Sequence, residues 1–213
     1  MECAVIGTGF FLPVIGSHPN TYREGIETTT QPSVSESRDI NASAARIFSI
    51  LANPALQPEV DGTGMLRGAV DSEVITQVGD VFYISMTHWH LGNYVMANHV
   101  LTFEQDRQIS WEPIVYSYEN PDYEQSVGHP GLREWGWQLE PLSDNATRVT
   151  EYFEGSRLPE ELRKFIEDGE FWRPAMVTSL ENLERLATVP VAERGESPQS
   201  KTASEFVQLF EGN

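Results

Sequence analysis

The stretch Val81–Pro113, VFYISMTHWHLGNYVMANHVLTFEQDRQISWEP, leaves few folds open to this chain. Aromatic and β-branched residues alternate with polar ones along it, the pattern of half-buried strands rather than of a helix. Turn-forming residues fall at Leu91–Asn93 and Glu104–Arg107, so the spacing predicts three consecutive antiparallel strands joined by tight turns. Side chains along a strand point alternately to opposite faces. On the first strand Phe82, Ile84, Met86, His88 and His90 share one parity. On the second Val95, Ala97, His99, Leu101 and Phe103 do, and on the third Ile109, Trp111, Pro113 and Val115. Facing one way, these sets would form an apolar concave wall carrying three imidazoles.

At 213 residues the chain is long enough for one domain with a real core and short for two. A hydrophobic fraction of 39%, with ten Phe, seven Tyr and five Trp, is that of a globular protein. The formal net charge of -18 argues against nucleic acid, which is bound through Lys and Arg on phosphates. It argues equally against an anionic membrane surface. The single cysteine, Cys3, excludes a disulfide scaffold and a Cys-based zinc site. The apolar run Ala4–Gly16 is preceded by Glu2 rather than by basic residues and is too short to span a bilayer. A cytoplasmic protein without membrane insertion is therefore expected. Gly7-Thr8-Gly9 is half a dinucleotide fingerprint without its third glycine or its helix, and no phosphate loop or nucleophile elbow appears.

Three regions are expected: an N-terminal extension over 1–33, one domain over 34–188, and a polar, disordered tail over 189–213. Val34–Ile40 reads as a first strand. Asn41 or Ser43 then caps a helix running to about Leu51, with Ala44, Ile47, Phe48 and Leu51 on one face. Asn53-Pro54 stops it and starts a short helical turn to Pro58. Met65–Ser72 and Glu73–Val78 read as a strand with a bend. Tyr116–Pro130 reads as a long loop or lid. Strands resume at Arg133–Leu139 and Ala146–Phe153. A helical segment starts near Pro159, with Leu162, Phe165 and Ile166 inward. Pro174 kinks or restarts it, and Met176, Leu180, Leu183 and Ala187 form its apolar stripe.

Several short motifs, in this order and spacing, resemble the polyketide cyclase/dehydrase family of the START-like (helix-grip) superfamily. They are Ser37-Arg38-Asp39-Ile40-Asn41-Ala42, Asn53-Pro54, Asp61-Gly62-Thr63-Gly64 and Val78-Gly79-Asp80-Val81-Phe82. Further along come Asn98-His99-Val100, Ile109-Ser110-Trp111-Glu112-Pro113, Trp135-Gly136-Trp137 with Leu139-Glu140-Pro141, and Thr147-Arg148-Val149-Thr150-Glu151. The resemblance covers about 34–188. It implies an α+β helix-grip fold: a curved seven-stranded antiparallel sheet around a long C-terminal helix, with two short helices after the first strand. It also implies an internal cavity for apolar molecules. It does not imply a reaction, because fold does not settle function.

Four residues are candidates for proton chemistry. His88 and His90, two apart on one strand, point the same way, so they suit acid–base work, a shared metal with His99 as third ligand, or plain structural roles. The carboxylate that such a metal site would need downstream is missing, since Tyr94 and Val95 stand there, and no metal is assigned. His99, if inward, needs a buried partner such as Glu151 or a tyrosine. Glu151 lies between Val149 and Phe153 on one parity; if it points inward, desolvation raises its pKa, and if it lies at an edge it stays in water. Arg38 and Arg148 are its candidate counter-ions. Phe82, Met86, Trp111, Trp135, Trp137 and Leu180 are the expected cavity wall, with Tyr116 at the mouth.

Together these readings predict an aromatase/cyclase- or dehydratase-like enzyme that folds an apolar, aromatic or polyketide-type molecule and moves a proton with His or Glu. No cofactor is called for. The alternative is a non-catalytic carrier of lipids or other hydrophobic small molecules, and a metal-assisted hydrolase is a third reading. The expected partner is a hydrophobic small molecule, and the sequence leaves a homodimer open.

Overall fold

The structure is a computed structural model and describes residues 34–88, 92–119, 132–160, 163 and 172–189. Seven strands form one antiparallel sheet: β1 (Val34–Ile40), β2 (Leu66–Val70), β3 (Val81–His88), β4 (Gly92–Glu104), β5 (Gln108–Tyr118), β6 (Glu134–Ser143) and β7 (Ala146–Glu154). Their spatial order is β1-β7-β6-β5-β4-β3-β2. Strands β2 to β7 thus follow one another as a meander, and β1 closes on the far edge beside β7. Two short helices, α1 (Ala44–Leu51) and α2 (Gln57–Val60), follow β1, and the long α3 (Trp172–Thr188) follows the sheet. This is the helix-grip arrangement, with the last helix packed on the concave face of the curved sheet.

Local chemistry explains the boundaries. Ser43 caps α1, its hydroxyl accepting from Arg46 N–H at 3.3 Å. Asn53 Oδ1 accepts from Ala55 N–H at 3.1 Å, and Pro54 opens a single turn of 3-10 helix that leads into α2. The segment after β2 departs from the expectation. Residues 73–78 are not a strand, because the Asp80 carboxylate draws them into a turn. Its Oδ2 accepts from Thr76 N–H at 2.8 Å, Gln77 N–H at 3.1 Å and the Thr76 hydroxyl at 3.0 Å. These bonds hold the Asp80 carboxyl below its ordinary pKa. The expected inward residues Leu162, Phe165 and Ile166, the 1–33 extension and most of the 189–213 tail lie outside the described residues.

The larger part of the core joins α1 and α3 to the sheet. Ile47, Phe48 and Leu51 from α1 meet Leu180, Leu183 and Leu186 from α3 and Ile109, Trp137 and Val149 from the sheet. Phe48 and Phe103 pack edge to face with ring centroids 5.2 Å apart. A smaller cluster of Val34, Phe153, Leu158 and Met176 lies apart, and Trp135 packs against both.

The second strand of the central wall presents its other face. Tyr94, Met96, Asn98 and Val100 point into the concavity, not Val95, Ala97, His99 and Leu101. The cause is a β-bulge. Val100 pairs with Trp111 and Thr102 with Ser110, so Leu101 is an extra residue with no partner on β5. Phe103, beyond the bulge, points inward as expected, whereas every residue before it is shifted by one. Leu101 is exposed as a result. A matching bulge on β5 pairs Val95 with Ser117 and Met96 with Val115, which leaves Tyr116 as the extra residue there.

Candidate functional site

Between the sheet and α3 lies a cavity of about 990 Å³. That is the upper end of the range usual for small-molecule sites. Strand β3 contributes Phe82, Ile84, Met86 and His88, β4 contributes Tyr94, Met96 and Asn98, and β5 contributes Trp111 and Pro113. Trp135 and Trp137 come from β6, and Glu151 and Phe153 from β7. From α3 come Trp172, Ala175 and Ser179, and the turn after α2 adds Asp61, Thr63 and Met65. Seven of the lining side chains are Phe, Tyr or Trp, and several of these rings pack on one another. Phe82 and Trp111 meet edge to face at 5.2 Å, Trp135 meets Trp172 at 5.3 Å, and Phe153 stacks on Trp172 at 6.1 Å.

The polar side chains on this wall are Gln57, Asp61, Thr63, His88, Asn98, Arg133, Glu151 and Ser179. Asp61 is committed to its own turn: Oδ1 accepts from Thr63 N–H at 2.9 Å and from the Thr63 hydroxyl at 2.6 Å, and Oδ2 from Leu66 N–H at 2.9 Å. This turn docks on α3 through Gly62, whose N–H donates to Ser179 Oγ at 3.0 Å. Only glycine fits there, because a Cβ would overlap the Ala175 carbonyl oxygen and stand 2.6 Å from Ser179 N. Asn98 Nδ2 donates weakly to the Phe82 carbonyl at 3.4 Å.

Glu151 is the one carboxylate among the described residues buried deep in this wall, with 2% of its surface exposed. Trp135 Nε1–H donates to its Oε1 at 2.9 Å. Its Oε2 has no hydrogen-bond partner. Burial drives its pKa well above the ordinary carboxylate value, and the nearby Asp61 charge adds to the rise. Hydrogen bonding from the Trp135 indole and the Ser179 hydroxyl opposes it. The carboxyl therefore favours its neutral, protonated form. Neither candidate counter-ion reaches it. Arg38 pairs with Glu184 at 2.7 Å, and Arg148 pairs with Asp39 at 2.8 Å.

The expected site residues separate into groups. Phe82, Met86, Trp111, Trp135, Trp137, His88 and Glu151 all line the cavity. His99 does not: it stands exposed on the outer face, opposite Glu112 in the β4–β5 register. Burial raises the Glu112 carboxyl, and the His99 charge opposes that rise. Tyr116 is also on the outer face, 68% exposed and edge-on to Tyr83 at 5.1 Å, because it is the bulged residue of β5. Leu180 is buried in the α1–α3 core, one helical position round from Ser179, which takes the cavity face together with Ala175. His90 lies outside the described residues. Among the described residues no three His, Cys, Asp or Glu side chains gather as a metal site would need.

Tyr94, Met96, Asn98, Asp61, Ser179 and Trp172 were not anticipated. Both parities of β4 are rich in apolar residues, so hydrophobicity alone could not choose between them. Ser179 was legible in principle, as the small residue three positions after Met176 on the helix stripe.

Comparisons with known proteins extend the fold and leave the activity open. No protein-family model matches the chain. The uncharacterized protein Rv0088 of Mycobacterium tuberculosis is 31% identical over 121 residues, which are 57% of this chain and 46% of that protein. The chain thus matches about half the length of this curated relative. Protein NE0264 of Nitrosomonas europaea superposes with a TM-score of 0.50 at 16% identity, over 72% of this chain and 92% of that one. A START superfamily protein from Mycobacterium smegmatis superposes with a TM-score of 0.48 at 15% identity, over 72% and 95%. At these identities the likeness is one of fold. No helix among the described residues is long and apolar enough to cross a membrane.

Proposed function

We propose that this chain is a binding protein for an apolar, ring-bearing small molecule, which it holds in the cavity between the sheet and α3. The observation that carries this reading is the cavity itself: about 990 Å³, walled by Phe82, Trp111, Trp135, Trp137, Phe153 and Trp172. Such a volume takes a fused ring system, and flat aromatic walls stack on flat ligands. The unit doing this is 34–188, and the function needs no cofactor. A cytoplasmic carrier, alone or as a homodimer, agrees with the strongly acidic composition.

A second reading keeps the same cavity and makes Glu151 a general acid, as in a cyclase or dehydratase of the polyketide cyclase/dehydrase type. What favours it is that Glu151 holds its proton in an apolar wall. What weighs against it is that His99, one of the expected acid–base histidines, lies on the opposite face of the sheet, which leaves His88 as the histidine on the cavity wall. The carrier reading is preferred on that ground.

Native mass spectrometry of freshly purified full chain, followed by fluorescence titration with an aromatic probe, tests the proposal. A co-purifying apolar molecule, or stoichiometric probe binding in the micromolar range, is expected. Absence of both would refute ligand binding. Conversion of a bound polyketide-type compound, abolished in Glu151→Gln, would replace the carrier reading by the enzymatic one.

A further inference from the structure

We infer that the ligand carries a neutral carbonyl oxygen on its apolar skeleton, and that Trp137 and Glu151 together hold that oxygen. This rests on the ligand-binding reading above and goes on to specify what the cavity selects. Two side-chain polar atoms of the cavity wall lack any hydrogen-bond partner: Trp137 Nε1 and Glu151 Oε2. Both residues are 2% exposed. Buried polar groups are almost always paired, so two adjacent orphans on one wall call for a reason.

Their adjacency is set by the sheet. Trp137 on β6 and Glu151 on β7 are direct register partners, so their side chains leave the sheet side by side on the concave face. Trp135, two residues back along β6, donates its indole N–H to Glu151 Oε1 and fixes the plane of the carboxyl. That bond also sorts the two oxygens. Oε1 accepts, so Oε2 is the oxygen on which a proton of the neutral acid would sit. An indole N–H can only donate, and so can the hydroxyl of such an acid toward its free side. The site therefore presents two donors side by side. A carbonyl oxygen, with two lone pairs, satisfies both at once.

The other polar groups on the wall are engaged: Asp61 by Thr63 and Leu66, Gln57 by the Leu51 carbonyl, Asn98 by the Phe82 carbonyl, and Ser179 by Gly62 N–H and Glu151, while His88 and Arg133 also have partners. A ligand cation finds no free acceptor at the Trp137–Glu151 pair. A ligand carboxylate set at this pair would face a carboxyl and the nearby Asp61 charge, and the basic side chains of the lining, Arg133 and His88, belong to β3 and to the segment before β6 rather than to the pair. A neutral ketone or quinone carbonyl avoids both penalties. The terminal torsion of a glutamate side chain is soft, so the carboxyl can turn the small distance needed to meet an oxygen at the wall.

The test uses the full-length chain and two probes of one size, methyl naphthyl ketone and ethylnaphthalene, which differ by a carbonyl in place of a methylene. Calorimetry should show wild type preferring the ketone by roughly tenfold, about 1.4 kcal/mol. Trp137→Phe and Glu151→Leu should each remove most of that preference while still binding ethylnaphthalene. Glu151→Gln, which keeps an N–H donor at the same place, should retain it. Glu151→Leu deletes a buried carboxyl, and Glu151→Gln preserves its shape, so at least one of the pair stays folded, as circular dichroism would verify. If wild type binds both probes equally, or its preference survives both Trp137→Phe and Glu151→Leu, the anchor is wrong while the binding reading stands. If neither probe binds wild type, both fall.

Discussion

Replacing Glu151 with glutamine isolates the buried carboxyl. The amide has the same shape and keeps an acceptor oxygen for the Trp135 indole, which donates to Oε1 at 2.9 Å. It cannot ionise. Burial holds the native carboxyl well above the ordinary value of 4.5. Below that pH the group is protonated in the folded and unfolded chain alike and adds no pH dependence. Above it the unfolded chain releases the proton and the folded chain keeps it, up to the raised folded value. Wild-type stability from this group is thus fully present below pH 4.5 and is lost as pH rises toward and through the folded value. The slope is about 1.4 kcal/mol per pH unit within that window. Glu151→Gln has no such term. From pH 4.5 up to the raised folded value the variant should gain steadily on wild type, at about that slope. Urea denaturation followed by tryptophan emission measures this well, because Trp111, Trp135, Trp137 and Trp172 all line the cavity. Every other titrating group is common to both proteins and cancels in the difference. A gap that stays flat across the range would mean that Glu151 is ionised in the folded chain, and the desolvation argument would be refuted.

Other substitutions probe the frame. Leu180→Ala empties a fully packed position among α1, α3 and the sheet, and should cost roughly 2–5 kcal/mol; an unchanged denaturation midpoint would place Leu180 elsewhere. Gly62→Ala drives a methyl into the Ala175 carbonyl and Ser179 N–H of α3, so the turn must lift and release its hydrogen bond to Ser179. A loss of about 1–3 kcal/mol is expected, seen as a fall in Tm of about 2–4 °C per kcal/mol, and a Tm equal to wild type would count against the docking. His99→Ala, on the outer face, should leave the affinity for an aromatic probe within about twofold of wild type; a tenfold loss, about 1.4 kcal/mol, would return His99 to the cavity.

Where the sequence was informative, it was so through periodicity and capping chemistry. Strand β1 begins and ends where its alternation does, and Ser43 and Asn53-Pro54 mark the helix boundaries through hydrogen bonds visible in the residue types alone. The inward set on β3, β6 and β7 follows from parity because those strands pair without an extra residue in the stretch that meets the cavity. Glu151 was legible on the same ground, flanked by Val149 and Phe153. Strand β4 was not. Its two faces are similarly apolar, and a bulge depends on where the neighbouring strand sits, which no local pattern encodes. Leu180 was placed on the correct helix, yet 100° of rotation separates the cavity from the core there, finer than a stripe of leucines can specify. The turn over 73–78 was misread because β-favouring residues yielded to a single aspartate, Asp80, binding three donors at once.

The extra residue at Leu101 has a bearing on how such a cavity can change. Phe103 is anchored in the core against Phe48, so the strand is pinned on one side of the bulge. Deleting Leu101 would regularise the pairing and leave Tyr94, Met96 and Asn98 facing the cavity, because alternation counted back from Phe103 through Thr102 and Val100 puts them inward. Were Leu101 kept and taken into regular alternation instead, the whole preceding segment would turn over, and Val95, Ala97 and His99 would line the interior. The single extra residue thus decides between two linings that the same stretch of chain carries: an aromatic ring, a thioether and an amide, or two small aliphatic groups and an imidazole.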